Sequence, residues 1–257
     1  HVRMDRSGAR PATPLPVPGH ESIARPLDGL NVLDLGVIVV GGESSRLLAD
    51  NGADVIKLES RAFPDGTRQT DMATGMAVSL AAGHRNKRSL GLNLRAPEGK
   101  AIFERMVARA DVVLTNFKPG TMAALGLGFD DLRKIKPDLI MVESSAFGDT
   151  GPWRTRLGYG PLVRAATGLS SKWCYPGDDD GYSDSLTIYP DHVAARIGII
   201  GVLALLIDRQ RSGTGGHVGT AQSEIALTHQ AWEIAAARGG AVKAAEPDDA
   251  PWGVYRT

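Results

Sequence analysis

One carboxylate stands out because it opens a long apolar helical pattern. Asp191 lies between a polar loop and this pattern in the stretch SLTIYPDHVAARIGIIGVLALLIDRQRSGTGG, residues 185–216. The dipole and free N–H groups at a helix start favour the ionised form of a carboxyl group, which is the nucleophilic form. Aspartate in such a position more commonly serves only as a helix N-cap. The residues themselves leave both roles open.

Other catalytic chemistries find little support in the sequence. His192 is the next residue along the helix, but neighbouring helical positions point about 100° apart, so we interpret it as structural. Neither Gly-Lys-Ser/Thr nor G-x-S-x-G occurs, and Gly36, Gly41 and Gly42 lack the G-x-G-x-x-G spacing. A single cysteine, Cys174, and six histidines without a ligand spacing predict no metal site. Carboxylate chemistry therefore remains.

Strands and helices alternate regularly from about residue 30 to residue 145. Strand patterns occur in NVLDLGVIVVGG, ADVIKLE, SLGLNL, DVVLTN and DLIMVESS, and the first run is taken to end at Gly41 and Gly42. Helical patterns occur between them in ESSRLLADNG, APEGKAIFERMVARA and FDDLRKIKP. This order predicts an α/β fold, namely a Rossmann-like parallel sheet with helices on both faces.

The rest of the chain divides into less regular segments. A helix is predicted near 161–168, before the acidic loop PGDDDGYSD, and a long helix follows from about 191 to 211. HVGTAQS predicts a further strand, and EIALTHQAWEIAAARGG predicts one last amphipathic helix. Five prolines within residues 1–26 predict an extended arm or linker. We therefore divide the chain into this arm, a large domain over 27–224, and the beginning of a smaller, incomplete domain over 225–257.

Composition narrows the class of partners. The 257 residues carry 29 basic and 29 acidic side chains, so no overall field favours nucleic acid or an anionic membrane. No apolar run reaches the length of about 18 residues that a membrane span needs, and no signal peptide is evident. A single cysteine excludes an intrachain disulfide and fits a reducing compartment. The sequence thus predicts a cytoplasmic protein without nucleic-acid or membrane partners.

Several segments, taken in order, resemble the family III CoA-transferases. They are PLDGLNVLDLG, RLLADNGADVIKLES, GHRNKRSLGLNLRAPEGK, ADVVLTNFKPGTMAALGLGFDDLRKIKPDLI and RQRSGTGGHVGTAQSE, and the similarity runs from about residue 26 to the end. The group includes formyl-CoA and carnitine CoA-transferases, with α-methylacyl-CoA racemase as a close relative. The resemblance implies that Asp191 attacks an acyl-CoA thioester, forms an anhydride and then an aspartyl-CoA thioester, and passes CoA to an acceptor carboxylic acid. It makes 27–224 a CoA-binding and catalytic domain.

The resemblance also implies which residues bind coenzyme A. Its phosphates and pantetheine need basic groups beside an apolar slot. Val39 and Val40 stand where the family has residues beside the pantetheine and the catalytic aspartate. Ser60 and Ala124 replace basic residues of the family, and Arg61 stands next to the first of them. The remaining positions assigned to CoA binding are Arg88, Arg95, Lys118, Leu125 and Tyr159.

Two alternatives to the transferase remain open. The racemase branch has a histidine where this chain has Tyr159, and the loss of that acid–base partner favours the transferase. The second alternative is a catalytically silent CoA-binding half, because AAEPDDA lacks the glycines of the family's loop over the aspartate. The resemblance further implies an interlocked homodimer or a pseudo-dimer. It also suggests that the chain is truncated or is one half of a longer, duplicated protein.

Overall fold

The structure is a computed structural model that describes residues 2–6, 25–69, 77–175, 177–182 and 188–239. Most of the predicted Pro-rich arm, part of the acidic loop, and the segment AAEPDDA with the chain end lie outside these residues. The described residues form a mixed seven-stranded sheet with helices on both faces. The predicted α/β class is confirmed.

The seven-stranded sheet has the spatial order β1-β9-β6-β5-β2-β3-β4. Strands β2 to β6 and β9 run parallel to one another, as expected. β1 pairs antiparallel with β9, so residues at the start of the predicted arm form an edge strand that the sequence analysis missed. A separate hairpin contains β7 and β8. The bounds are β1 (Val2–Arg6), β2 (Asn31–Asp34), β3 (Asp54–Glu59), β4 (Arg88–Gly91), β5 (Val112–Thr115), β6 (Ile140–Ser145), β7 (Cys174–Tyr175), β8 (Asp178–Tyr182) and β9 (Gly216–Ala221).

The helices form two layers because consecutive strand residues point to opposite faces of the sheet. Val112 and Leu114 pack on the face that α1 and α7 cover, whereas Val113 packs on the face that α3 and α5 cover. Both faces are therefore apolar, as a buried parallel sheet requires. The described helices are α1 (Ile38–Asp50), α2 (Val78–His84), α3 (Pro97–Val107), α4 (Thr121–Ala124), α5 (Phe129–Ile135), α6 (Gly160–Ala166), α7 (Tyr189–Ser212), α8 (Gln222–Thr228) and α9 (Ala231–Ala237).

Two predicted boundaries were wrong. The first strand ends at Asp34, and the β-branched residues that follow begin α1 instead. The turn between them is so tight that a Cβ on Gly36 would lie 2.4 Å from the Cα of Gly41. The last predicted helix is divided into α8 and α9 at Gln230, whose buried side chain donates a hydrogen bond to the carbonyl of Thr167 at 3.0 Å. Tertiary contacts decide both boundaries.

Helix α7 carries the predicted nucleophile and packs against β6, β9 and β1. By length and composition it would suffice to span a membrane, but 56% of its most apolar window is buried within the fold. Ile199, Val202 and Leu206 pack against the core beneath it. A buried core helix can be as long and as apolar as a membrane-spanning helix. The length and hydropathy of α7 are therefore weak support for a membrane span.

Candidate active site

A cavity of about 460 Å³ opens at the carboxyl ends of β2 to β5. From β2 the sheet extends to β3 and β4 on one side, and to β5 and β6 on the other. Such a reversal of strand order opens a crevice where ligands bind in α/β proteins. The wall is largely apolar and suits a slender organic chain. Its apolar part includes Leu35, Leu58, Phe63, Leu92, Phe117 and Leu125.

The start of α1 forms one wall of the cavity and is held from two sides. Ile38 has a φ of 55°, a region that β-branched residues rarely adopt. Its N–H donates to the two carboxylate oxygens of Asp65 at 3.1 and 3.2 Å. Asn116 accepts from the N–H of Val37 at 2.7 Å and donates to its carbonyl at 2.9 Å. A strained residue persists only where its surroundings fix it, so this wall is rigid.

A buried ionic network supports the strained wall. The ammonium of Lys57 lies 3.1 Å from Asp65, and the ring of His84 lies 3.4 Å from the same carboxylate. Burial alone would raise the pKa of Asp65, but His84, the backbone and hydroxyl of Thr67, and Lys57 lower it far below its ordinary value. The acceptor for the Ile38 N–H is therefore a carboxylate at neutral pH.

Asp34 at the end of β2 forms the second half of this network. Its carboxylate lies 3.1 Å from the ammonium of Lys87 and accepts hydrogen bonds from Ser45 and from the N–H of Gly36. Lys87 also donates to the carbonyl of Gly42. Burial lowers the pKa of Lys87, and Asp34 offsets part of this effect. The pair ties the end of β2 to α1 and to the residue before β4.

The cavity wall also contains a cation. The guanidinium of Arg95 is 4.5 Å from the ring centroid of Phe63, and both residues border the cavity. Ser60 Oγ accepts a hydrogen bond from the N–H of Phe63 at 3.1 Å, which fixes the loop that carries the ring. An arginine stacked on an aromatic face keeps its N–H edge available for phosphate. This wall therefore combines a flat apolar surface with an anion-binding group.

Asp191 lies in the first turn of α7 and is almost entirely buried, with 5% of its surface exposed. Its Oδ2 atom has no hydrogen-bond partner among the described residues. Gly160 packs against it so closely that an added Cβ would lie 2.0 Å from Oδ2. The arrangement presents one free carboxylate oxygen in a dry environment at a helix start.

Burial raises the pKa of Asp191 to about 6. The nearby His192 and hydrogen-bonding groups of Gly160, Asp191 itself and Gln222 lower it and offset part of this effect. The helix start was predicted to favour the ionised form, but desolvation outweighs it. At neutral pH the group is nevertheless mainly a carboxylate, and it is a more basic one than an exposed aspartate.

The structure brings only some of the predicted CoA-binding residues to the cavity. Ser60, Arg95 and Leu125 border it. Val39 and Val40 follow Ile38 inside α1 and are not among the lining residues, and Val40 is buried. The other candidates are outside the lining. Arg61, Lys118 and Ala124 are exposed, and so is Tyr159, the residue before α6. Arg88 pairs with Asp54 at the opposite end of β3. Asp191 is not part of the lining either.

Several residues of the site were missed by sequence reasoning. Gly160 and Gln222 meet Asp191 only through folding, and His192, interpreted as structural, contacts Glu43 of α1. Glu43 is 149 positions away from its partner along the chain, so no spacing rule links the two. The only local signal was the sequence GYGP, in which Gly160 is the first residue of α6.

Comparisons with known proteins agree with this architecture. The family model described as CoA-transferase family III matches residues 27–257. The chain is 47% identical over 249 residues to a probable CoA-transferase of Mycobacterium tuberculosis, which covers 94% of this chain and 31% of that protein. It is 39% identical over 193 residues to succinyl-CoA–D-citramalate CoA-transferase of Chloroflexus aurantiacus, covering 74% of this chain and 48% of that protein.

A solved structure of a related protein has a similar fold. The crystal structure of a CAIB/BAIF family protein from Brucella suis superimposes with a TM-score of 0.75 and 33% identity, over 89% of this chain and 62% of that chain. The chain spans about half the length of the Chloroflexus relative and about a third of the Mycobacterium relative. The match of family model, relatives and fold extends over nearly all the described residues, and the chain therefore belongs to the family III CoA-transferases.

Proposed function

We propose that the protein transfers CoA from an acyl-CoA thioester to a carboxylic acid, with Asp191 as the covalent carrier. The observation that carries the proposal is the state of this carboxylate: it is buried, basic for an aspartate, and has one oxygen without a partner among the described residues. A desolvated carboxylate is a stronger nucleophile than a hydrated one. Asp191 is not the N-cap of α7, because the N-cap is Ile188 and Asp191 lies within the first turn.

The chemistry proceeds by four acyl transfers. The Asp191 carboxylate attacks the thioester carbonyl and the C–S bond breaks. This step releases CoA thiolate and forms an acyl-aspartyl anhydride. The thiolate then attacks the carbonyl of Asp191, giving an aspartyl-CoA thioester and the free donor acid. The acceptor carboxylate attacks this thioester and releases the thiolate, which finally attacks the acceptor's carbonyl. Acyl-CoA forms and Asp191 returns as a carboxylate, so no oxidant or metal enters the balance.

The cavity at the strand ends suits the CoA part of the substrate. Its apolar wall fits the pantetheine, and Arg95 over Phe63 offers a phosphate contact beside a flat stacking surface. Helix α1 connects this cavity to the nucleophile, because Ile38 at its start borders the cavity and Glu43 reaches the residue beside Asp191. The two positions lie about 8 Å apart along the helix. A bound pantetheine running along α1 would bring the thioester towards Asp191.

The relatives suggest which acids to test first. Succinyl-CoA and D-citramalate, named for the Chloroflexus relative, are a dicarboxylic thioester and a dicarboxylic acceptor. We propose short dicarboxylic acids as the substrate class and include monocarboxylic thioesters for contrast. An interlocked homodimer or pseudo-dimer and a cytoplasmic location remain predictions from the sequence.

Covalent trapping tests this function. The protein is incubated with succinyl-CoA or acetyl-CoA, treated with hydroxylamine or borohydride, and analysed by intact mass and peptide mapping. We expect a modification on the peptide that contains Asp191, and none in an Asp191→Asn variant that still binds CoA. CoA binding without any labelling of Asp191 would refute the covalent mechanism and indicate a silent half. Exchange of an α-proton with deuterated water, without labelling, would indicate the racemase.

A further inference from the structure

Glu43 is a buried carboxylate that faces α7 from α1. Only 4% of its surface is exposed. Its Oε2 atom contacts Nδ1 of His192, and its Oε1 atom lies 2.9 Å from a guanidinium nitrogen of Arg196 and 3.5 Å from one of Arg46. A buried acid without counter-charges would be strongly destabilising. Two guanidinium groups and one imidazole ring, from two helices, therefore converge on this single carboxylate.

The contact fixes the orientation of the His192 ring. A carboxylate only accepts hydrogen bonds, so the Nδ1 atom facing Glu43 carries a proton. Arg196, one turn further along α7, donates to the backbone carbonyl of His192 at 2.9 Å and reinforces the same turn. The first turn of α7 is therefore held against α1 through its charged side chains.

His192 is the residue next to Asp191 along the chain, and a positive charge on its ring has the sign opposite to that of the Asp191 carboxylate. Arg46 and Arg196 supply further positive charge to Glu43. The charge of His192 lowers the pKa of Asp191 against the raising effect of burial.

The other elements around Asp191 bring few charges towards it. From α6 come Gly160 and the buried Arg164, which stacks on Trp173 at 5.0 Å. From α8 comes the uncharged amide of Gln222, while Glu224 on the same helix is exposed. Tyr159 before α6 is also exposed. Glu43 and His192 are thus the ion pair placed to act on the proposed nucleophile.

We propose that Glu43 and His192 form a positioning pair, in which the buried carboxylate holds the His192 ring beside Asp191 and fixes the first turn of α7 against α1, so that the charge of the pair acts on the nucleophile. The proposal rests on the proposed function of Asp191. It assigns His192 a role that its helical position alone argued against, because the ring acts through its charge and does not need to point at the substrate.

The test is the pH profile of single-turnover labelling of Asp191 by the acyl-CoA that labels the wild type. In His192→Gln, we expect the acidic limb near pH 6 to move up by about one pH unit, which is the effect expected of losing a neighbouring opposite charge. The rate then falls about tenfold at pH 5 and stays within about twofold at pH 8. Glu43→Gln should move the limb in the same direction, and His192→Arg should restore it.

Controls separate this role from a general loss of structure. Glu98→Gln removes an exposed carboxylate of α3 on the opposite face of the sheet and should leave the limb unchanged. An unchanged limb in His192→Gln, or a loss that is equal at pH 5 and pH 8, would overturn the proposal.

A second readout does not depend on activity. The difference in unfolding free energy between each protein and its Asp191→Asn counterpart follows the titration of Asp191. We expect the upper end of this titration, near pH 6 in the wild type, to lie higher in the His192→Gln background. An identical titration in both backgrounds would refute the pair even if Asp191 is never labelled. A shifted titration without labelling would leave the pair intact and refute the transferase mechanism.

Discussion

Replacing Gly160 by alanine adds one methyl group directly against the proposed nucleophile. The new Cβ would lie 2.0 Å from Oδ2 and 3.2 Å from Cγ of Asp191, and 3.3 Å from the Cβ of Ile188. Ordinary contact begins at 3.4 Å, so the carboxylate has to move by about 1.4 Å. The N–H of Asp191 is bonded to the carbonyl of Ile188 at 3.0 Å, which holds the backbone of this turn. We therefore expect the side chain to rotate away from its position.

The expected cost is large for catalysis and moderate for stability. A displacement of about 1 Å from a reactive geometry costs on the order of a hundredfold in rate. An extra methyl group in a packed region costs about 1–3 kcal/mol of unfolding free energy. Gly160→Ala should thus lower the single-turnover rate of Asp191 labelling about a hundredfold while CoA still binds. The measurements are rapid-quench mass spectrometry, calorimetric CoA binding and urea unfolding.

Gly91→Ala is the matched control. An added Cβ there meets no atom within 4 Å, and the backbone of Gly91 does not have a positive φ. This variant should label Asp191 at the wild-type rate. If Gly160→Ala also labels Asp191 within about threefold of the wild type, while remaining folded, then contact with Gly160 does not position the carboxylate and the reasoning fails.

Three further changes test the electrostatics and the cavity. Because burial raises the pKa of Asp191 from 3.8 to about 6, ionisation costs the folded state about 3 kcal/mol above pH 6. Asp191→Asn should therefore be more stable than the wild type above pH 6, and this gain should vanish below pH 3.8, as urea unfolding across pH will show. Asp34→Asn leaves the buried ammonium of Lys87 with a neutral partner and should lower the unfolding free energy by about 3–5 kcal/mol at pH 7; a loss below 1 kcal/mol would contradict the network. Arg95→Ala should weaken CoA binding about tenfold in calorimetry, whereas Arg88→Ala, at the opposite end of the strands, should not; equal effects would place CoA elsewhere.

The local patterns of the sequence determined most of the element order. The consecutive apolar residues Val112, Val113 and Leu114 form a strand buried on both faces, as the run DVVLTN predicted. Residues 97–107 and 189–212 form the helices that their periodicity indicated. These features depend on neighbours a few positions apart, so one sequence is enough to predict them. The position of Asp191 at a helix start belongs to the same class.

Only the tertiary structure decided where the chain turns and how the site is charged. Residues 38–42 have β-branched and glycine composition that predicted a strand, but packing against the turn at Gly36 makes them the start of a helix. The edge strand β1 exists because it pairs with a strand more than 200 positions away. Similarly, burial raises the pKa of Asp191 and hydrogen-bonding groups of Gly160 and Gln222 lower it, and both residues come from other segments of the chain. Local sequence fixes backbone preference, whereas burial and charge depend on what folding brings together.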